Sequence, residues 1–311
     1  MKKLLSVLCC IALLLTVCAC SKAENRPSTP TTAPTAEPTE SPTEPTEGEE
    51  VVLPPEEPKA PAYNFQVNDP ENTRGLSTQK YEFSYGVAVG GKPHNQSVSN
   101  QSKFDGYENI EALALDTKST EKVMYLTFDC GYEYKNLTAD ILDTLKEKGV
   151  KAAFFITLSY AQSNPQLVQR MVDEGHIVGN HSTTHPVFPD ISRTQMASEI
   201  QQLHEYLLEN YNYVSPYFRF PTGAYSESSL ELVTSLGYKS IFWSVAHADW
   251  DTANQKGADN AHDTVTSRYH PGAVILLHAV SNDNAQALGR MIDTATAEGY
   301  TFKTLDDYFA Q

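Results

Sequence analysis

The chain has 311 residues, 40% of them hydrophobic and 20% charged, which is enough apolar material for one large domain with its own core. Its 23 Lys and Arg stand against 39 Asp and Glu, so the formal net charge is −16. A groove lined for nucleic-acid phosphates is therefore excluded as a first interpretation. We expect an acidic enzyme or binding module without a nucleic-acid partner.

Residues 1–20 have the features of a bacterial export signal. Lys2 and Lys3 precede an apolar run with the length and flanks of a secretory signal rather than of a stable membrane span. The string VCACS at residues 17–21 resembles the lipobox of bacterial lipoproteins, in which the last cysteine is acylated. We therefore expect an exported protein whose lipid anchor at Cys20 holds it on the outer face of the cytoplasmic membrane or in the cell wall. Plain cleavage and a retained signal anchor are the alternatives.

A spacer follows the signal. Residues 21–60 contain nine acidic residues and nine of the 18 prolines, in Thr-Pro-Glu repeats that offer nothing for a core. Such a composition predicts a self-repelling, disordered linker over residues 21–61. Residues 62–118 carry weak patterns and are interpreted as an approach segment to the folded domain at residues 119–311.

Short β-rich runs then alternate with amphipathic helical stretches. The predicted strands cover residues 122–128, 152–157, 176–179, 217–220, 239–245, 273–278 and 300–303, and the predicted helices 136–148, 165–174, 227–236, 284–298 and a longer one that begins at Ser192. Seven strands alternating with helices predict a single α/β barrel-like domain, with a doubly wound open sheet as the alternative.

Reactive side chains follow the carboxyl ends of these strands. They are Asp129, the pair His181 and His185, Arg219, Asp249 and His278. In an α/β barrel this face carries the active site, so five chain segments would converge on one pocket.

Each of these residues also has a simpler interpretation. The HSTTH spacing at residues 181–185 suits a metal site or is a surface coincidence. Asp129 could be a helix N-cap with Arg219 as its ion-pair partner, Trp250 could be a core residue, and His278 a hydrogen-bonded core histidine. The other histidines, His247 among them, are interpreted as surface or structural.

Taken together, the segments resemble the polysaccharide deacetylase family, also known as NodB-homology domains or family 4 carbohydrate esterases. The matching strings are TFDCG at 127–131, HSTTH at 181–185, RFPTG at 219–223, DW at 249–250 and LLH at 276–278. The longer strings TFDCGYE, FWSVA and HAVSNDNA are similar to the delta-lactam-biosynthetic branch, which de-N-acetylates muramic acid. The resemblance spans residues 80–311 and implies a distorted (β/α) barrel of about seven strands.

The resemblance also implies roles for the site residues. A divalent ion, for which Zn²⁺ is the first expectation, would be held by His181 and His185. Asp129 would be the general base, and His278 the general acid that Asp249 holds and tunes.

Three further residues complete the implied site. Arg219 would orient Asp129 and keep it ionised. The backbone N–H of Thr222 would stabilise the oxyanion, and Trp250 would form an apolar wall of the groove.

Three positions depart from the family pattern. Cys130 replaces a metal-binding aspartate, and either its thiolate binds the ion or the position is left to water. Ala246 replaces an aspartate in the fourth motif. Phe220 and Thr222 replace the proline and arginine of the muramic-acid branch, which weakens the expected recognition of the lactyl carboxylate.

The implied function is metal-dependent removal of acetyl groups from peptidoglycan amino sugars, with N-acetylmuramic acid as the first candidate. Chitooligosaccharides or acetylated xylan are alternative substrates. A non-catalytic glycan-binding lipoprotein is an alternative of another class, although binding alone needs no acid and base such as His278 and Asp129.

Overall fold

A computed structural model describes residues 63–310 of the chain, so the predicted export signal and the whole predicted linker lie outside the described residues. The strands are β1 (Tyr81–Glu82), β2 (Ala112–Leu113), β3 (Val123–Cys130), β4 (Ala153–Ile156), β5 (Ile177–Asn180), β6 (Tyr217–Phe218), β7 (Ala224–Tyr225), β8 (Lys239–Ile241), β9 (Ala273–His278) and β10 (Thr301–Phe302). The helices are α1 (Asn95–Asp105), α2 (Leu137–Lys148), α3 (Leu158–Ser163), α4 (Pro165–Asp173), α5 (Arg193–Tyr211), α6 (Glu227–Ser235), α7 (Ala258–Thr266), α8 (Asn282–Ala297) and α9 (Leu305–Phe309). None of these helices has the length and apolar composition that crossing a membrane requires.

Eight strands form one parallel sheet. Seven of them follow the order β10-β3-β4-β5-β6-β8-β2, and the eighth, β9, also pairs with β3. The sheet curls, because the chain just beyond β8 reaches β9. Val245 forms a parallel bridge with Ile275, and its carbonyl accepts a hydrogen bond of 2.8 Å from the Leu276 N–H. The predicted single α/β domain with a distorted barrel is confirmed.

Strand β3 runs through the middle of this fold, and all eight of its residues are buried. Alternate side chains point to opposite faces. Val123 and Tyr125 belong to the apolar cluster inside the curled sheet, to which α9 contributes Leu305 and Tyr308. The even-numbered residues from Met124 to Cys130 belong to the apolar cluster between the sheet and the helices. Burial on both faces explains why this strand reads as a continuous apolar run.

The helices begin and end where local chemistry predicts. Ser192 opens α5 with a capping box that it shares with Gln195. Gly149 closes α2 in the left-handed conformation, with φ of 67°. The apolar faces of both helices are buried, as their spacing predicts.

Several elements differ from the sequence-based prediction. The strand predicted at 217–220 ends at Phe218, because residues 221–223 form a tight turn in which Thr222 has φ of 59°. The strand predicted at 239–245 ends at Ile241. Helices α1, α3, α7 and α9 were not predicted, since they are short or, like α1, largely polar in sequence.

Residues 63–118 pack onto the barrel. Strand β2 pairs with β8 and extends the sheet. The buried side chain of Gln101 on α1 accepts hydrogen bonds from the Ala114 and Leu115 N–H groups at 2.7 and 3.1 Å and donates to the Ala112 carbonyl at 3.1 Å. Helix α1 therefore fixes the edge strand through one amide side chain.

Candidate active site

The carboxyl ends of the parallel strands surround a cavity of about 900 Å³. Six of the eight residues predicted for the site line this cavity: Asp129, His181, His185, Thr222, Trp250 and His278. The other two, Arg219 and Asp249, lie directly behind it and hydrogen-bond to Asp129 and His278. Parallel strands bring their carboxyl ends to one edge of a sheet, which is why residues far apart in sequence meet here.

Asp129, at the end of β3, is buried and ion-paired. Its Oδ1 accepts a hydrogen bond of 2.8 Å from Arg219 Nη1. Burial opposes ionisation of the carboxyl, but the Arg219 guanidinium, with His181 and His278, lowers the pKa of Asp129 below its ordinary value. Asp129 is therefore a carboxylate at neutral pH.

The Arg219 guanidinium is fixed by two backbone carbonyls and an aromatic ring. It is fully buried, its Nε donates to the Ile241 carbonyl at 3.0 Å and its Nη2 to the Phe242 carbonyl at 3.2 Å. The guanidinium also lies over the Phe155 ring, 4.2 Å from its centroid. One nitrogen of this fixed fork remains for Asp129, so the carboxylate cannot rotate freely.

The two histidines of the HSTTH segment lie beside Asp129. Their ring centroids are 4.8 Å apart, and His181 Nε2 is 3.6 Å from Asp129 Oδ2. His181 Nδ1 lies 2.8 Å from the Arg219 carbonyl, which can only accept, so Nδ1 carries the proton and Nε2 presents a lone pair to the cavity. Burial lowers the pKa of His181 to about 4 and lowers that of His185 as well, so both rings are neutral at pH 7.

Glu199 of α5 holds the loop that carries these histidines. Its Oε2 accepts from the N–H groups of Thr183 and Thr184 at 3.0 and 2.7 Å, and its Oε1 accepts from Thr184 Oγ1 at 2.7 Å. The loop is tight, because Ser182 and His185 both have positive φ, at 70° and 59°. The Glu199 carboxylate thus supplies acceptors for backbone N–H groups that a tight turn leaves without a backbone partner.

The chemistry of the two imidazoles fits a divalent ion. Both are neutral, and the backbone bond at Nδ1 orients the free Nε2 of His181, which is the usual arrangement for a metal ligand. Within residues 63–310 no group of three or more His, Cys, Asp or Glu side chains is arranged to bind a metal ion. The described residues thus offer His181 and His185 as ligands and leave the remaining positions to water or substrate.

Cys130 does not face the cavity. It is fully buried in the apolar cluster beneath the helices, on the opposite face of β3 from Asp129. Burial, together with the charges of Asp129 and Glu133, raises the pKa of this thiol well above its usual value. Because its side chain points into the core and does not line the cavity, Cys130 is not placed to hold an ion there.

His278, at the end of β9, forms a pair with Asp249. Its Nδ1 lies 2.7 Å from Asp249 Oδ1, and its backbone N–H donates to Asp249 Oδ2 at 2.7 Å. Burial disfavours the charged ring, but the hydrogen bond and the charge of Asp249, with the charge of Asp129, raise the pKa of His278 above its ordinary value. Because Nδ1 is engaged, Nε2 is the atom available for proton transfer.

Two predicted residues complete the wall of the cavity. Thr222 sits in the left-handed region with φ of 59° and ψ of −5°, an uncommon conformation for a β-branched residue. Trp250 is 58% exposed at the rim, with its ring centroid 5.8 Å from that of His278. Trp250 is therefore a surface aromatic and not a core residue.

Sequence reasoning missed several residues of this site. Tyr85 and Tyr132 line the cavity, and Tyr132 is 53% exposed. Asn284 hydrogen-bonds to Asp249, and His247, interpreted as structural, lines the same cavity. Two of them had a signal, since Tyr132 lies in the TFDCGYE string and Asn284 in the HAVSNDNA string.

Comparison with known proteins decides the family. The polysaccharide deacetylase family model matches residues 116–241. The peptidoglycan-N-acetylmuramic acid deacetylase PdaA of Bacillus subtilis is 44% identical over 204 residues, which cover 64% of this chain and 76% of that protein. The chain belongs to the polysaccharide deacetylase family.

One further member of the polysaccharide deacetylase family and one solved structure support this assignment. A peptidoglycan-N-acetylglucosamine deacetylase of Bacillus cereus is 32% identical over 188 residues, which cover 59% of this chain and 67% of that protein. The solved structure of Bacillus subtilis PdaA, a family 4 carbohydrate esterase, superposes with a TM-score of 0.69 at 37% identity and covers 76% of this chain and 99% of its own. The protein is therefore an enzyme, a polysaccharide deacetylase with the fold of this family.

Proposed function

We propose that the protein hydrolyses N-acetyl groups of peptidoglycan amino sugars, with a divalent ion, from an anchored position outside the cell. The observation that carries the proposal is the convergence of a carboxylate, two neutral imidazoles and a protonatable histidine on one cavity. N-acetylmuramic acid is the first candidate sugar, because the relative that is 44% identical is named for it.

Asp129 acts as the general base in this proposal. It is ionised at neutral pH, and its second oxygen lies free of Arg219 on the side of His181. It takes the proton of a water that attacks the acetyl carbon. Arg219 keeps the carboxylate oriented and charged during the step.

A metal ion would be held by His181 and His185. Bound there, Zn²⁺ or a similar ion would polarise the acetamide carbonyl and the attacking water. The chain's own contribution is two neutral imidazoles, of which His181 is oriented by the hydrogen bond at its Nδ1.

His278 acts as the general acid. Attack of water on the acetyl carbon forms a tetrahedral oxyanion, which the backbone N–H of Thr222 would stabilise. The carbon–nitrogen bond then breaks, His278 Nε2 gives its proton to the departing amine, and acetate is released. Asp249 supports the charged ring through Nδ1, and Trp250 provides an apolar wall for the sugar.

The proposed location rests on the sequence alone. The apolar run behind Lys2 and Lys3, and the VCACS string at residues 17–21, support export and acylation at Cys20. The acidic, proline-rich spacer at residues 21–61 would let the enzyme reach an insoluble neighbouring polymer.

A second candidate substrate is a neutral N-acetylglucosamine residue, in peptidoglycan or in a chitooligosaccharide. The residues lining the 900 Å³ cavity include no Lys or Arg within the described part of the chain. Arg219 is buried and engaged with Asp129, and Thr222 occupies a position on the wall that a cation could have filled. A free lactyl carboxylate would therefore find no Lys or Arg side chain among these lining residues to pair with.

The test is acetate release by the purified protein with added Zn²⁺ from peptide-stripped peptidoglycan, intact peptidoglycan and chitooligosaccharides. Analysis of the product sugars by mass spectrometry identifies the deacetylated residue, and Asp129→Asn is the control. Release from muramic acid that vanishes in the variant supports the first candidate. Release from glucosamine residues alone replaces it with the second, and no release from any of the three rejects the proposed substrates.

A further inference from the structure

The carboxylate of Asp249 has three hydrogen-bond donors, and only one of them is the ring of His278. Oδ1 faces His278 Nδ1, whereas Oδ2 accepts from the His278 backbone N–H and from Asn284 Nδ2. Asp249 is only 2% exposed, so water does not compete for these positions. The partners of Oδ2 therefore decide how Oδ1 is presented to the catalytic ring.

Asn284 is itself rigidly placed. It is buried in the first turn of α8, and its backbone N–H donates to the capping hydroxyl of Ser281 at 3.2 Å. Its side-chain Oδ1 lies 3.0 Å from His247 Nε2. A carboxylate can only accept, so the amide must turn its Nδ2 toward Asp249, and His247 must then donate from Nε2 to Oδ1.

The backbone of the same loop is tied to the same end of α8. Gln255 donates from Nε2 to the carbonyls of Asp249 and Asp251 at 3.1 and 2.8 Å. Its Oε1 accepts from Ser281 Oγ at 2.8 Å and from the Asp283 N–H at 3.3 Å. The side-chain amide of Gln255, with two hydrogen bonds at each end, thus links the Asp249 segment to the helix that carries Asn284.

We propose that Asn284, oriented by His247, is a positioning residue that aligns the Asp249 carboxylate with His278 during acetyl hydrolysis. The inference rests on the proposed function, in which His278 is the general acid. Without the amide, Oδ2 would lose a donor in a site closed to water, and the carboxylate would be free to turn away from Nδ1.

The first experiment replaces the amide by an apolar side chain of similar size, Asn284→Leu, in the full-length protein. We expect kcat for acetate release to fall about 10- to 100-fold with KM changed less than about twofold, because alignment and not sugar binding is lost. Asn282→Leu is the matched control on the same helix, since Asn282 is not among the hydrogen-bond partners of Asp249.

A second pair of variants tests the orienting role of His247 should Asn284→Leu fail to fold. His247→Gln keeps a donor near the position of Nε2, whereas His247→Leu does not. We expect most of the kcat to survive in His247→Gln and to be lost in His247→Leu. Equal loss in both variants would reject the role of His247 as donor.

A substrate-free measurement separates this inference from the choice of substrate. The Nδ1 proton shared by His278 and Asp249 gives a downfield proton NMR resonance, which is assigned by its absence in His278→Gln. We expect this resonance to shift or broaden in Asn284→Leu and to persist in Asn282→Leu. An unchanged resonance and an unchanged kcat in Asn284→Leu would overturn the inference, even if the enzyme deacetylates a different sugar.

Discussion

At the scale of single residues, the two groups proposed as base and acid owe their protonation states to different partners. Asp129 is paired with the permanently charged Arg219, and His278 with the carboxylate of Asp249. The first pairing lowers the pKa of the carboxyl and the second raises that of the ring. A base that is ionised and an acid that is protonated can therefore coexist over the same pH range.

This arrangement predicts the pH dependence of an Asp249→Asn variant. As the proposed general acid, His278 must be protonated, so we expect activity to be lost as the pH rises through its pKa, which Asp249 raises. Removing the carboxylate charge lowers that pKa, and we expect the basic limb of the kcat/KM profile to move to lower pH, with a lower maximum. The profile is measured by acetate release, with Asp251→Asn as the control. A basic limb that stays in place would show that another group titrates there.

At the scale of elements, loops at the ends of strands hold the reactive groups, and neighbouring helices hold those loops. Helix α5 contributes Glu199 to the HSTTH loop, and α8 contributes Asn284 to the Asp249 loop. Each support is a buried or half-buried polar side chain that satisfies backbone or carboxylate groups of an irregular segment. The precision of the site thus depends on helix placement as much as on the strands.

The HSTTH loop is the first place where this dependence can be measured. In Glu199→Ala the N–H groups of Thr183 and Thr184 lose their acceptor. We expect the affinity for Zn²⁺, measured by competition with a chelating dye, to fall about 10- to 100-fold as the two imidazoles lose their alignment. Glu205→Ala removes a carboxylate from the same helix, where Glu205 pairs with Gln201, and should leave the affinity unchanged. An unchanged affinity in Glu199→Ala would contradict the assignment of this loop as the ion's support.

The turn after β6 is the second loop whose contribution can be measured. Gly223 has φ of 76°, and a Cβ there would lie 2.8 Å from Trp243 Cη2 and 3.2 Å from Phe83 Cβ. We expect Gly223→Ala to lower the free energy of unfolding by about 1 to 3 kcal/mol, measured by urea denaturation.

Gly289 in α8 provides the contrasting glycine. A Cβ there would meet Lys148 Cε at 3.5 Å and Thr144 Cγ2 at 3.6 Å, which are ordinary contacts. Gly289→Ala should raise the free energy of unfolding by about 0.5 to 1 kcal/mol, since alanine favours a helix interior. The same sign for both variants would contradict the argument from backbone conformation.

At the scale of the whole molecule, the sequence combines an apolar, buried barrel core with an amino-terminal segment that is rich in acidic residues and proline. The barrel buries apolar residues on both faces of a parallel sheet, whereas residues 21–60 hold nine acidic residues and nine prolines. In the proposed function this segment would tether the catalytic domain, which suits a polymer that cannot diffuse to the enzyme.

The proposed anchor predicts the location of a cysteine variant. With Cys20→Ser the acylated residue is lost, and we expect the protein to leave the membrane fraction when cells expressing it are fractionated. Cys18→Ser, two positions earlier, should keep the protein on the membrane. Retention of the Cys20→Ser protein in the membrane fraction would point to a retained signal anchor instead.

The alternation of strand and helix patterns predicted an α/β barrel-like domain, with a doubly wound open sheet as the alternative, and placed Asp129, His181 and His278 at the carboxyl ends of strands. Parallel strands alternating with helices have few arrangements, and all of them gather the carboxyl ends at one edge. The exact strand ends and the short helices were predicted less well. After β6, for example, Phe220 is apolar and Thr222 is β-branched, which favours a strand, and yet residues 220–223 form a turn. Tertiary packing overrides local propensity at such points.

The sequence by itself determined the class of fold, the order of the motifs and the chemical types in the site, because these follow from local patterns. Only the tertiary structure decided that Cys130 points into the core, since adjacent strand residues face opposite sides and either side could have met the cavity. It likewise decided that Asn284 supports Asp249, 35 residues away. A contact between distant residues depends on how whole elements pack, which no local pattern records.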